Sequence, residues 1–191
     1  MESTETEFDK TVASRLRSLR SERGLTLDQL GELSGVSRAM ISRIERGEAS
    51  PTAALLARLC SALGLSLSSF FEGDAVDASP LARREHQALW RDPESGYLRR
   101  SVSPARTGSR VDIVEVEFPP GAAVRFPGQQ ASRVQWQHVW VFSGEIEMRV
   151  GDAVYRLYPG DCLYMNVGDV HEFRNPTDQP ARYGVIIDLG R

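Results

Sequence analysis

The sequence predicts an α+β protein of two domains, an all-α N-terminal domain of five short helices followed by an all-β barrel. Two changes along the chain carry this prediction. Through residues 11–72 apolar residues recur every three or four positions, which is the spacing of one face of an α-helix. Through residues 81–191 they alternate with polar residues between regularly spaced turn sequences, which is typical of short antiparallel strands.

Composition sets the remaining domain boundaries. Residues 1–10 form an acidic leader, residues 73–80 form a polar linker, and the core of the barrel is expected at about residues 107–189. The net charge is −3 and the isoelectric point is about 5.7, but residues 10–71 hold nine basic and five acidic side chains, a net of +4. A basic domain on an acidic protein favours phosphate binding at one place only.

Cys60 and Cys162 lie far apart in apolar surroundings and lack the spacing of a disulfide framework or a zinc site, so we interpret both as buried thiols. The leader is polar and acidic, unlike a signal peptide. No apolar run approaches the roughly 20 residues that span a bilayer. We therefore expect a soluble, cytoplasmic protein with no membrane partner.

Caps and glycines predict the helix ends of the first domain. Thr26 is placed to cap the second helix, with Gln29 completing a capping box, and Ser50 with Pro51 is placed to open the fourth. Ser37 is placed to cap the third. The remaining ends are marked by Gly24, Gly47, Gly64 and Ser66.

The stretch “TLDQLGELSGVSRAMISRIERGEASP” (residues 26–51) predicts two helices joined by a tight turn, the arrangement in which the second helix enters the DNA major groove. Ile41 and Ile44 are expected to point into the core. Helix N-termini suit phosphate oxygens, and the outer face of the second helix suits base edges. The candidate DNA-contacting residues are Thr26, Ser37, Arg38, Ala39, Met40, Ser42 and Arg43.

Arg38 and Arg43 are the residues best suited to read bases, since an arginine can bond guanine O6 and N7 together, worth about 1–3 kcal/mol of discrimination. Ala39 and Met40 offer apolar contact with a thymine methyl group. One such domain reads only a few base pairs, so we expect a homodimer on double-stranded DNA with half-sites about 34 Å apart. A five-helix bundle that uses the motif for protein contacts is the alternative.

The pattern “LRSLRSERGLTLDQLGELSGVSRAMISRIERGEASPT” strongly resembles the Cro/repressor-like (XRE) helix-turn-helix family, over roughly residues 12–71. The resemblance implies a λ-repressor-like helical fold. It also implies that Glu45 pairs with Arg20. The residues that it implies face DNA are Ser37, Arg38, Ala39 and Arg43.

The stretch “YPGDCLYMNVGDVHEFRN” (residues 158–175) resembles the second conserved motif of the cupin family, and the resemblance extends over about residues 107–189. It implies a jelly-roll barrel, with His171 at the position of a metal-binding histidine. The matching residues are Gly160, Gly168, His171 and Asn175, with Asn166 in place of the usual proline.

The metal ligands that this resemblance implies are largely missing. Gly144 sets the frame of the family's first motif. In that frame Gln137 stands where a glutamate is usual, and Ala131 and Arg133 stand near the two usual histidines. A catalytic metal needs several ionised or imidazole ligands at one point. We therefore expect no metal, no cofactor and no catalytic residue, with a metal at His171 as the alternative.

Strand alternation sorts the stretch “QWQHVWVFSG” (residues 135–144) into two faces. Trp136 and Trp140 face outward, where aromatic residues favour a protein interface. His138 does so too, unless a bulge intervenes. The interior suits a small ligand that bears a carboxylate or other polar groups. The alternative is that the interior polar groups bond one another and water, and that the barrel only dimerises. The expected ligand-binding residues are Arg133, Gln135, Gln137, Tyr164 and His171.

The two resemblances together are typical of the XRE–cupin group of bacterial transcription regulators. The sequence therefore predicts a dimeric, sequence-specific DNA-binding regulator whose barrel binds a small polar effector. Two alternatives remain open. One is a metal-dependent cupin oxygenase or epoxidase with a helical head, and the other is a constitutive repressor with an empty barrel.

Overall fold

The computed structural model divides the chain into two compact units, Met1–Phe70 and Phe71–Arg191. The first consists of helices and the second of antiparallel strands, which confirms the α+β fold class. No helix in the described part of the chain combines the length and the apolar run that crossing a bilayer requires. The structure describes residues 2–65, 67–71, 79–105, 107–128 and 135–188.

Five α-helices lie within the described residues, as expected from the apolar spacing. The first helix is longer than expected, because the acidic leader continues this helix instead of preceding it. Leu16, Leu30, Ile41 and Leu56, one from each of the first four helices, are fully buried in the core. The helices are α1 (Glu2–Glu22), α2 (Leu27–Ser34), α3 (Arg38–Glu45), α4 (Ala53–Ala62) and α5 (Leu67–Phe71).

Side-chain caps begin helices α2 and α4. The Thr26 hydroxyl accepts a hydrogen bond from the Gln29 amide at 3.2 Å, and the Gln29 side chain accepts one from the Thr26 amide at 2.8 Å, which completes the expected capping box. The sequence predicted that Ser50 opens the fourth helix, but the structure shows Thr52 as its cap. The Thr52 hydroxyl lies 3.4 Å from the Leu55 amide, three residues on, where a helix leaves that amide unbonded.

Ten strands within the described residues form two antiparallel sheets, preceded by a short 3-10 helix, Arg84–His86. The strands are β1 (Leu89–Arg91), β2 (Leu98–Ser101), β3 (Val111–Phe118), β4 (Ala123–Phe126), β5 (Trp136–Ser143), β6 (Ile146–Val150), β7 (Ala153–Leu157), β8 (Cys162–Asn166), β9 (His171–Arg174) and β10 (Ala181–Asp188). The six-stranded sheet has the order β1-β2-β3-β10-β5-β8, and the four-stranded sheet has the order β4-β9-β6-β7. These neighbours, distant in sequence, are typical of a jelly roll.

The inner faces of the two sheets meet in one apolar core. Along β3, Val114, Val116 and Phe118 are buried, and the residues between them face outward. Phe173 of the four-stranded sheet stacks on Tyr183 of the six-stranded sheet, with ring centroids 5.6 Å apart and planes inclined by 9°. The period-two pattern of the sequence therefore sorts side chains between core and surface.

Cys162 departs from the expectation that both thiols are buried. Cys60 is buried in α4, whereas Cys162 is exposed. Cys162 pairs with Trp140 across strands β8 and β5, and Trp140 is exposed on the outer face. Directly paired residues point to the same face of a sheet, so Cys162 faces outward as well.

Two residues of the cupin-like motifs shape turns. Gly144 follows β5 with φ = 75°, and a Cβ atom there would lie 2.7 Å from the Pro180 carbonyl oxygen. Asn175 is fully buried. Its side chain donates to the Gln179 carbonyl oxygen at 2.7 Å and accepts from the Thr177 amide at 3.0 Å and the Thr177 hydroxyl at 2.8 Å. These bonds fix the turn between β9 and β10.

Replacing Asn175 by alanine should lower the free energy of unfolding of the second unit by about 2–4 kcal/mol, because several buried or part-buried hydrogen bonds are lost at once. Urea unfolding followed by tryptophan fluorescence measures this loss. The matched control is Asn166→Ala, which removes one hydrogen bond from the Gly168 amide and should cost about 1 kcal/mol. Equal losses in the two variants would contradict the assigned role of Asn175.

Candidate functional site

Helix α3 presents a polar face away from the core. Ile41 and Ile44 are fully buried, as expected, and hold the other side of the helix in the first unit. The first turn is capped by Ser37, whose hydroxyl accepts from the Met40 amide at 3.3 Å. The residues proposed to contact DNA all lie at accessible positions: Thr26, Ser37, Arg38, Ala39 and Arg43 are exposed, and Met40 and Ser42 are half-buried.

An ion pair anchors α3 to α1. The Arg20 guanidinium donates two hydrogen bonds to the Glu45 carboxylate, at 2.6 and 2.8 Å, and a third to the Leu25 carbonyl oxygen at 2.8 Å. The two side chains are only 15% and 7% exposed. The hydrogen bonds to Glu45 raise the pKa of Arg20 above its usual value. The pair implied by the family resemblance is therefore present, and it fixes the C-terminal end of α3.

Arg58 of α4 holds the turn before α3, a role that the sequence analysis missed. Its Nε donates to the Ser34 carbonyl oxygen at 3.0 Å, and its Nη2 donates to the Gly35 carbonyl oxygen. Gly31 gives the turn its space, since a Cβ atom there would lie 3.0 Å from the Val36 carbonyl oxygen. The sequence held little signal for Arg58, because an arginine on a later helix has no fixed spacing from the turn that it bonds.

Ion pairs decide which polar groups of the α3 face are available to a ligand. Arg38 lies 3.6 Å from Asp28, but the side chains are 67% and 66% exposed, so water and salt weaken this pair. Arg46 bonds Glu48 at 2.6 and 2.7 Å and also donates to the Ser42 hydroxyl. Because that hydroxyl accepts from Arg46, its own hydrogen is left to donate to a base or a phosphate.

Gln137 and His171 face the barrel interior from opposite sheets. Gln137 lies on β5 and His171 on β9, and each is only 5% exposed. The Nε2 atom of Gln137 is buried and has no hydrogen-bond partner among the described residues. Polar groups of this kind are uncommon in a folded core, where buried donors are normally bonded.

The His171 imidazole is held by one hydrogen bond and two aromatic rings. Its Nδ1 lies 2.7 Å from the Asp169 carbonyl oxygen, and because a carbonyl only accepts, Nδ1 carries the hydrogen. The ring stacks on Phe126 at 5.2 Å and meets Phe173 edge-on at 5.8 Å. Burial lowers the pKa of His171, and the Asp169 carbonyl opposes this shift. At neutral pH the imidazole is therefore uncharged, with Nε2 as a hydrogen-bond acceptor.

The other predicted ligand-binding residues have different outcomes. Gln135 is half-buried, two residues before the inward-facing Gln137. The prediction that Tyr164 lines the interior is wrong, because Tyr164 pairs with His138 on the outer face and is 55% exposed. His138 is itself exposed, as strand alternation predicted. Arg133 lies outside the described residues.

The outer face of the six-stranded sheet carries exposed aromatic rings. Trp136 stacks on Tyr164 with centroids 4.9 Å apart, and Trp140 meets Phe142 edge-on at 5.1 Å. All four rings are exposed. Gly184 on β10 leaves room for one of them, since a Cβ atom there would lie 2.9 Å from the Phe142 ring. We call this surface, made by Trp136, Trp140, Phe142 and Tyr164, the outer aromatic face.

Comparison with known proteins identifies both units. A helix-turn-helix family model, HTH_3, matches residues 16–70, and a cupin-domain family model, Cupin_2, matches residues 114–188. The chain is an XRE-family helix-turn-helix transcriptional regulator with a C-terminal cupin domain. Both resemblances seen in the sequence are thereby confirmed.

Similar proteins match this regulator over most of their length. It is 24% identical over 180 residues to the HTH-type transcriptional regulator SutR of Escherichia coli (strain K12), covering 94% of this chain and 96% of SutR. It is 27% identical over 163 residues to the regulator PuuR of the same organism, covering 85% and 86%. A crystal structure of an HTH_3 family transcriptional regulator from Vibrio cholerae matches 98% of this chain and 99% of its own, with a TM-score of 0.81 at 24% identity. This last likeness confirms the fold.

The described side chains of the regulator's cupin domain do not form a cluster that fits a catalytic metal centre. Within the described ranges, no three His, Cys, Asp or Glu side chains lie close enough to hold a metal ion together. The segment “QQASRV” (residues 129–134), which the sequence frame aligns with part of the usual first motif, contains none of these residue types. Of the residues that stand at the usual ligand positions of the two cupin motifs, His171 is a strong metal donor, whereas the side chain of Gln137 is neutral and a weak one.

The regulator should lose stability as the pH falls below about 6.5, and His171→Gln should reduce this loss. The folded-state pKa of His171 lies below its usual value of 6.5, so the unfolded chain takes up this proton first and is favoured as the pH falls. One such group contributes at most about 1.4 kcal/mol per pH unit. Urea unfolding between about pH 5 and pH 7.5 measures the slope, and an identical slope in the variant would show that His171 does not cause it.

Proposed function

We propose that the regulator binds operator DNA as a homodimer through α3, and that a small polar effector bound inside the barrel changes its affinity for DNA without any catalysis. The observation that supports an effector is the buried Nε2 of Gln137, which has no hydrogen-bond partner within the part of the chain that the structure describes. A buried polar group without a hydrogen-bond partner costs about 1–3 kcal/mol of stability, and an apolar side chain at the same position would avoid this cost. A binding role for the interior accounts for that cost.

The DNA-binding role of α3 is supported by its rigid attachment and its exposed arginines. Arg20 and Arg58 fix the end of α3 and the turn before it, so the helix presents one preformed surface. Arg38 and Arg43 supply forked donors for guanine edges at that surface. The helix N-terminus at Ser37 and the neighbouring Thr26 supply donors for phosphate oxygens, which set orientation and not sequence.

The homodimer is supported by the outer aromatic face. Monomeric proteins rarely expose a continuous apolar patch of several large rings, and such patches mark interfaces. The occupant we propose is the same face of a second copy, since one surface patch can pair with itself about a two-fold axis. A second copy also supplies the second α3 that tight operator binding needs.

An effector can act by binding the two states of the dimer unequally. A difference of about 1–3 kcal/mol in its affinity for the DNA-competent and DNA-incompetent states changes operator occupancy about 5- to 150-fold. Side chains of the interior then need only bind and discriminate. This is why the loss of the usual metal ligands is compatible with a functional barrel.

Replacing Arg38 or Arg43 by alanine should change which bases are preferred as well as weaken binding. We expect a loss of about 1–3 kcal/mol at the affected base pair. The measurement is selection of bound duplexes from a random library, followed by fluorescence anisotropy with the selected site.

Arg149→Ala is the matched control for these variants, because Arg149 is an exposed arginine of the cupin domain. It makes the same change of charge and should leave base preference unaltered. If both α3 variants selected the same sequences as the parent protein, α3 would not be the helix that reads DNA.

Trp140→Arg should convert the dimer to monomers, because a buried, unpaired charge at the centre of an interface is strongly unfavourable. Light scattering after size-exclusion chromatography measures the mass. The control is Val154→Arg on the four-stranded sheet, since Trp140 and Val154 are both 48% exposed. A dimer that survives Trp140→Arg, or dissociates equally with Val154→Arg, would exclude the outer aromatic face as the interface.

A further inference from the structure

A second unpartnered polar group faces the barrel interior, on strand β3. Asp112 alternates in phase with the buried Val114 and Val116 and is only 9% exposed. Its Oδ2 atom is buried and has no hydrogen-bond partner among the described residues. Leaving a carboxyl oxygen in this state costs more than leaving an amide, because the group carries a charge when ionised.

Strand register brings Asp112 and Gln137 to the same level of the interior. Asp112 on β3 pairs with Ile187 on β10, and Gln137 on β5 pairs with the same Ile187. Residues paired across strands point to one face, so the two polar side chains flank Ile187 on the inner surface. Two strand spacings separate their Cα atoms by about 10 Å, a gap suited to a small molecule.

Among the described residues, one basic residue, Arg99, lies on this inner surface, and it has other contacts. Arg99 on β2 is buried and pairs with Val116, four residues along β3 from Asp112. That offset corresponds to about 13 Å along the strand. The Arg99 guanidinium instead lies over the Phe71 ring at 5.1 Å and donates to Ser101. Among the described residues, no basic side chain therefore bonds the Oδ2 atom of Asp112.

We infer that the barrel binds a small ligand carrying an ammonium or amidinium group, which Asp112 bonds while Gln137 donates to an acceptor elsewhere on the ligand. This inference rests on the proposed effector function of the barrel and names the chemical class of the effector. A cationic donor matches an unpartnered carboxyl oxygen in charge and in hydrogen bonding. It narrows the carboxylate-bearing or otherwise polar ligand that the sequence predicted to one that carries a cation.

The direct test compares two matched series of probes on the purified full-length regulator. Benzylamine, benzamidine and n-butylamine carry the cation, and benzoate and butyrate carry the anion on similar frames. We expect the cationic probes at millimolar concentration to raise the thermal midpoint, and the anionic probes to leave it unchanged. Binding of the anions in preference, or of neither series, overturns the inference.

Asp112→Asn keeps the shape of the side chain and removes its charge. We expect it to weaken the binding of the cationic probes about tenfold or more. Glu117→Gln is the matched control, since Glu117 lies on the same strand with outward phase, and it should bind the probes as the parent does. Equal affinities in Asp112→Asn and the parent protein would show that Asp112 is not the anion partner.

The thermal stability of Asp112→Asn tests the inference without any ligand. The amide introduced by Asp112→Asn carries no charge into the interior, so this variant should unfold at the same temperature as the parent or a few degrees higher. A fall of several degrees would mean that Asp112 is bonded within the fold, and would overturn the inference.

Operator binding by the same proteins separates this inference from the proposed function. If operator affinity responds to an effector equally in the parent and in Asp112→Asn, the effector role stands and the assignment of Asp112 fails. If cations bind through Asp112 and leave operator affinity unchanged, the ligand class stands and the effector role fails.

Discussion

The alternation of side chains across the six-stranded sheet is the constraint on which the cupin domain depends. On β5 it places Gln137, Val139 and Val141 inside and Trp136, His138 and Trp140 outside. The same phase on β3 and β8 puts Asp112 inside and Tyr164 outside. A shift of one residue would bury the tryptophans and expose the polar interior. One geometric rule thus produces two surfaces, an interior with polar atoms that lack a hydrogen-bond partner among the described residues and an exterior with exposed aromatic rings.

The helical unit depends on hydrogen bonds that fix α3 at both ends. Arg20 and Glu45 hold its last turn, and Arg58 holds the carbonyl groups of the turn that precedes it. Hydrogen bonds to charged groups are worth about 1.5–3 kcal/mol each, several times more than exposed pairs such as Arg38–Asp28. The side chains that bond within the unit are thereby separated from those proposed to contact DNA. Preorganisation of this kind reduces the ordering cost of binding.

Local sequence patterns predicted much of this structure. The predictions that were wrong or missing have physical causes. The capping box at Thr26 and the burial of Ile41 and Ile44 follow from short spacings, so they were predicted correctly. Tyr164 was placed inside because the sequence shows no register between β5 and β8, and pairing with His138 decides its face. Arg58 and Asp112 were missed for a related reason. Their roles depend on partners, or on the lack of partners, contributed by segments distant in sequence. Asp112 did carry one local signal, since it continues the inward phase of Val114 and Val116.

In the proposed function the two units are coupled through a shared equilibrium and not through chemistry. An effector that favours one state of the dimer must alter operator affinity, and operator must alter effector affinity by the same factor, because the two bindings are thermodynamically linked. The most direct measurement is therefore a reciprocal titration, of operator with and without saturating effector and of effector with and without operator. The account predicts equal factors in the range of about 5 to 150 in both directions. A factor of one in both titrations, with both ligands bound, would contradict it.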